Sequence, residues 1–137
     1  MNILFHLHPK SEVIYLYADY TLRQALEKME QYRYTAVPVI DRNGKYLGTL
    51  TEGDLLWFIK SQEVDSLKAM ENYRIDSVKR HRDNEAVSIE CNMEDLVQAS
   101  LNQNFVPVVD DKDVFIGIVT RKSIIEYFFG EYKKNLI

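Results

Sequence analysis

The chain contains the same block twice, 69 positions apart. Val37-Pro38-Val39-Ile40-Asp41, followed by Gly48-Thr49-Leu50-Thr51, returns as Val106-Pro107-Val108-Val109-Asp110, followed by Gly117-Ile118-Val119-Thr120. Over 37–51 against 106–120 no gap is needed, and six of the fifteen pairs are identical. A repeat of this kind sets the architecture before any local reading does, because each copy is one supersecondary unit. Two copies of one αβ unit follow, with a groove between them expected as the place for a ligand.

Each copy reads as strand, helix, strand, strand, helix. In the first, residues 13–17 are β-branched and aromatic and predict a strand. Thr21-Leu22-Arg23-Gln24 has the capping-box pattern that opens a helix. Leu22, Ala25, Leu26 and Met29 form its buried face, and its end is expected near Arg33. Residues 36–40 and 46–50 are strands joined by Asp41-Arg42-Asn43-Gly44, where Asn-Gly supplies positive φ. Thr51 opens the next helix. In the second copy, 87–89 is a strand and Asn92 caps a helix carrying Met93, Leu96, Val97 and Leu101. Residues 105–109 and 114–119 form the hairpin, and Arg121 opens the last helix.

The predicted fold is therefore α/β (α+β), two βαββα repeats related by pseudo-two-fold symmetry. The first repeat spans 1–60, a linker helix 61–74 and the second repeat 75–137. Thr21 to Pro38 covers 17 positions and Asn92 to Pro107 only 15, so the two grooves are expected to differ.

At 137 residues the chain has the size of one ordinary domain. Its net charge of -4 argues against general nucleic-acid binding, which favours a basic surface. The single cysteine, Cys91, closes no internal disulfide and reads as a small apolar filler. No stretch reads as a signal peptide or a membrane span, so a cytoplasmic location is expected.

The ordered set resembles the tandem CBS-domain pair, or Bateman module. Its carriers are Leu22, Ala25, Leu26 and Met29, then Tyr34 through Asp41, then Gly48 through Leu56; in the second copy they are Phe105 through Asp110 and Gly117 through Ile125. The match covers roughly residues 10–130 and leaves no room for a catalytic domain. The resemblance implies a stand-alone regulatory module that binds an adenine nucleotide (AMP, ADP or ATP). The second hairpin and helix are also similar to stand-alone pairs of Gram-positive bacteria, some of which bind cyclic di-AMP. The resemblance further implies a homodimer joined through the helices near 55–59 and 124–129, and an unidentified regulated protein as partner. Trp57 lies on that face, as an interface anchor or a core residue.

In this family Gly48-x-x-Thr51-x-x-Asp54 implies an adenosine site. A carboxylate accepts hydrogen bonds from both hydroxyls of a ribose, and a threonine hydroxyl serves ribose or phosphate. Thr-x-x-Asp before an apolar run is also a capping motif, and the two roles are compatible. The family resemblance adds Val13, Ile14, Tyr34, Thr35, Ala36 and Val37 around the base of the first groove. For the second it adds Val87, Phe105 and Val106 beside Thr120. There Ser123 replaces the aspartate, so the first groove is expected to hold a nucleoside more strongly. Phosphates require cations; Arg121 and Lys122, and the run Lys79-Arg80-His81-Arg82, are the candidates.

Two other readings compete: a constitutive interaction protein held together by its apolar helix faces, and an enzyme using Asp54 as a base. No Ser/His/Asp, Cys/His or phosphate-cradling glycine-rich pattern accompanies Asp54, and nothing completes a metal site at His6-x-His8. No catalytic activity, cofactor or metal is expected.

Overall fold

The structure, a computed structural model, describes residues 3–136. In chain order its elements are β1 (His8–Pro9), β2 (Leu16–Tyr17), α1 (Leu22–Tyr32), β3 (Ala36–Ile40), β4 (Tyr46–Thr51), α2 (Glu52–Ser61), β5 (Val87–Ser88), α3 (Met93–Ser100), β6 (Phe105–Val109), β7 (Phe115–Thr120) and α4 (Arg121–Lys134). Short 3-10 turns lie at Ile3–His6, Lys10–Glu12, Ala69–Asn72 and Ile75–Ser77. The βαββα order appears twice, as β2-α1-β3-β4-α2 and β5-α3-β6-β7-α4.

The chain forms two compact units, and they do not follow the repeat boundary. One runs from Ile14 to Asp83; the other joins Asn84 onward to the N-terminal segment through Val13. Each is described on its own below.

In the Ile14–Asp83 unit the sheet order is β2-β3-β4, with β2 parallel and β4 antiparallel to β3. Thr21 caps α1 with a complete capping box, and Arg33 ends it in the left-handed conformation. Leu16, Leu22, Ala25, Val37, Leu50 and Leu55 lie in its core. The parallel strand β2 pairs only with Val39 and Ile40, so it starts beyond Pro38 and asks no ladder bond of the proline. The expected strand over 13–17 is correspondingly cut to Leu16–Tyr17. The linker helix expected over 61–74 is absent. Glu63, with φ 51°, ends α2 in a left-handed turn, and the chain then makes only the 3-10 turn Ala69–Asn72. Segment 73–76 is stitched back by Leu22 N–H to Tyr73 O (2.8 Å), Ile75 N–H to Tyr20 O (2.9 Å) and Asp76 N–H to Ala18 O (3.1 Å).

Tyr46 on β4 sits in this packing with its hydroxyl 2.8 Å from Thr49 Oγ1. Burial pushes its phenol up to about 12, because the neutral ring is favoured inside. A raised pKa contributes stability fully below the unfolded value and loses it as pH climbs through the folded one. About 2–3 kcal/mol should therefore disappear between roughly pH 10 and 12. Urea midpoints for Tyr46→Phe should lack this part of the alkaline loss.

In the second unit the sheet order is β1-β7-β6-β5. All five residues of β6 are buried, and Ile3, Leu96, Val106, Val108, Val119 and Ile124 form the core cluster. Its turn follows the first hairpin's logic. Asp110 accepts from the N–H groups of Val114 (2.9 Å) and Lys112 (2.8 Å), which hold its carboxyl below the usual range. Asp41 does the same for Asn43 and Lys45, so both aspartates are turn formers. Gly44 has φ 85°, whereas its counterpart 69 positions on, Asp113, is forced to φ 63°. Asp113→Gly should raise stability by about 0.5–1 kcal/mol, read from the urea midpoint.

Candidate functional site

The first motif is built at the junction of β4 and α2. Ala36 pairs with Thr51 across β3 and β4, and Thr35 O accepts the Glu52 N–H (2.9 Å), which fixes the helix start beside the strand. Thr51 Oγ1 accepts the Asp54 N–H at 3.1 Å, and Asp54 Oδ2 accepts the Thr51 N–H at 3.1 Å. Asp54 Oδ1 accepts the His81 N–H at 3.0 Å. The carboxylate is only 5% exposed, so the capping role expected of it is fulfilled. Each oxygen holds one main-chain donor and has a further lone pair.

Residues 80–83 lie over Gly48. Asp83 Oδ1 accepts from Thr49 N–H (2.9 Å) and from Arg80 Nε (2.7 Å), and Arg80 Nη2 donates to Leu47 O (3.3 Å). A methyl group on Gly48 would overlap the Asp83 carboxylate and the Arg80 guanidinium. The glycine is there for this close approach.

Two cavities flank α2 on different faces. One of about 360 Å³ is lined by Asp54, Trp57, Phe58, Ser61, Lys79 and His81. The other, about 340 Å³, is lined by residues of α1 and α2 together with Arg33 and Tyr34. The candidates for the first groove are thus divided. Thr35, Ala36, Thr51 and Asp54 come together. Tyr34, stacked on Tyr32, faces the cavity on the other side of the helix. Ile14 packs against the core, Val37 is fully inside it, and Val13 ends a 3-10 turn in the other unit.

The second motif ends differently. Thr120 Oγ1 accepts the Ser123 N–H (3.1 Å) and lies 2.8 Å from Ser123 Oγ. His8 Nε2 is 3.3 Å from Ser123 Oγ. A methyl on Gly117 would overlap the His8 carbonyl, because β1 crosses β7 there. Phe105 and Val106 are core residues, and Val87 packs against the core. The Phe105 carbonyl is taken by Asn84 and Gln103.

Both phosphate candidates on α4 turn elsewhere. Arg121 Nε donates to Ser100 O (2.9 Å), and Lys122 lies in solvent 4.0 Å from Glu126. Consecutive helix positions point about 100° apart, so only Ser123 shares the motif's direction.

His8 and the His81 amide carried no motif signal. The line Asp54, Trp57, Phe58, Ser61 was readable as i, i+3, i+4, i+7, one helix face. Burial pushes the Cys91 thiol up, away from nucleophilic use. Among the described residues no group of three or more His, Cys, Asp or Glu is placed to hold a metal.

Fold and site together define a tandem αβ protein with one Gly-x-x-Thr motif at a strand-to-helix junction in each unit. The chain belongs to the CBS-domain family, which matches residues 6–61 and 75–130. It is 27% identical over 122 residues to the inosine-5'-monophosphate dehydrogenase of Methanocaldococcus jannaschii, covering 84% of this chain but only 21% of that enzyme. Among solved structures it is similar to a CBS domain protein of Streptococcus pneumoniae (TM-score 0.83, 25% identity, 94% of this chain and 87% of the other). CbpB of Listeria monocytogenes, solved with c-di-AMP, gives 0.84 at 21% identity and covers 98% and 100%. CBSX2, solved with AMP, gives 0.74 at 22% identity and covers 96% and 98%. No helix among the described residues is long and apolar enough to cross a membrane.

Proposed function

We propose that the chain is a regulatory module that binds an adenine nucleotide of the AMP, ADP or ATP type at its first motif and has no catalytic activity of its own. The observation carrying this is Asp54, a buried carboxylate at a helix mouth, bordering a cavity and keeping lone pairs for sugar hydroxyls. Relatives solved with AMP and c-di-AMP support the ligand class. Binding biases the packing of the repeats and so alters affinity for a regulated protein in the cytoplasm. Such coupling amounts to about 1–3 kcal/mol.

Titration calorimetry with AMP, ADP, ATP and c-di-AMP tests the reading. Saturable heat from at least one is expected, and silence from all four at millimolar concentration overturns it. A preference for c-di-AMP would select the alternative ligand.

A second reading, a homodimer that acts as an interaction module, is favoured by one observation. Leu56 on α2 and Ile125, Phe128 and Phe129 on α4 are exposed. Sedimentation of the free chain at the monomer mass would reject it.

A further inference from the structure

We infer that Asp83, together with Arg80, is a positioning residue of the first motif: the pair clasps residues 80–83 onto β4, holds the His81 N–H against Asp54, and so sets nucleotide affinity without lining the cavity that Asp54 borders. This rests on the adenine-nucleotide reading above and concerns what keeps that site in shape. Asp54 accepts two main-chain donors. One, the Thr51 N–H, belongs to the capping box and comes with the helix itself. The other, from His81, comes from a segment with no regular hydrogen-bond ladder to fix it, since among the described residues 78–86 form neither helix nor strand. Side chains must hold that N–H in line instead.

Two do so. Asp83 Oδ1 accepts the Thr49 N–H at 2.9 Å, which pins the segment to β4 just after His81. Arg80 spans the same strand edge just before it, from Leu47 O at 3.3 Å to the Asp83 carboxylate at 2.7 and 3.4 Å. Val78, 4% exposed, anchors the approach. The clasp closes only because Gly48 has no side chain in its way. The second copy shows what the clasp replaces. Ile118, 69 positions after Thr49, pairs with His8 of β1, so a strand occupies the edge that Asp83 and Arg80 cover in the first. Neither Asp83 nor Arg80 lines the cavity beside Asp54, so their effect on a ligand there passes through His81. A carboxylate held in place before the ligand arrives spares part of the ordering cost of binding.

The test uses the full chain. Calorimetry gives the affinity for the tightest binder among AMP, ADP, ATP and c-di-AMP, and NMR gives the hydrogen exchange of the His81 amide. Asp83→Ala should weaken the nucleotide roughly tenfold and speed His81 exchange, with the amides of α1 unchanged. Asp83→Asn keeps an acceptor for the Thr49 N–H and should restore both readings. Unchanged affinity or unchanged His81 exchange in Asp83→Ala, or no recovery in Asp83→Asn, overturns the clasp while nucleotide binding stands. If the unmodified chain binds none of the four, the proposed function is overturned. The clasp is then supported by faster His81 exchange in Asp83→Ala and overturned by unchanged exchange.

Discussion

Asp54→Ala is expected to cost the folded chain about 3 kcal/mol and to weaken nucleoside binding far more than Ser123→Ala does. The stability loss comes from the two main-chain donors that the carboxylate satisfies, Thr51 N–H and His81 N–H. Neither is replaced by another protein group when the acceptor goes, and a donor left without a partner costs up to about 1–3 kcal/mol, the full amount only where water is shut out. Ser123 is half-buried and bonded only to a hydroxyl and to an exposed imidazole, so its loss should stay below about 1 kcal/mol. Because the two variants differ in stability, affinity must be measured where both are folded, with urea midpoints in parallel. Asp54→Asn separates the effects: it keeps one acceptor oxygen for a main-chain donor and removes the charge that favours sugar hydroxyls. Equal affinity losses at positions 54 and 123 would reject the difference between the two motifs.

The second large effect is at the other end of the chain. Removing residues 3–13 should abolish cooperative unfolding of the unit that contains the second repeat. Ile3 is 1% exposed and belongs to that unit's core cluster. Ile3→Ala alone should cost about 2–5 kcal/mol, a large part of the roughly 5–15 kcal/mol that a domain commands. The same segment supplies β1, which pairs with β7 through His8–Ile118 and Pro9–Gly117. Without it β7 becomes a bare edge open to association with other chains. Calorimetric unfolding and size-exclusion of the shortened chain give the answer. An unchanged transition in a monomeric product would reject the assignment.

Much of this was readable in the residues. The constant offset located both hairpins, and the capping side chains of Thr21, Thr51 and Asn92 act as their spacing predicts. These are local signals, and local geometry obeys them. The division of the chain into units was not readable. The repeat boundaries placed residues 3–13 with the first copy and 75–83 with the second, and packing reverses both assignments. Only three-dimensional packing decides which copy a flanking segment joins. In the motif region, Thr51 and Asp54 were legible because capping demands those side chains. The contact from His81 was not, because any residue but proline offers the same N–H. Arg121 and Lys122 were misdirected by nearness in sequence, since adjacent helical positions face different ways.

The N-terminal segment completes a sheet whose last strand ends at Thr120. A ribosome adding roughly 5–20 residues per second needs about 5–20 s to travel between the two. Until those strands are made, Ile3 and Leu7 lack the core they pack against. A segment made before the first repeat is thus among the last to find its place, and newborn chains should be most dependent on chaperones, and most open to proteases, at that stage.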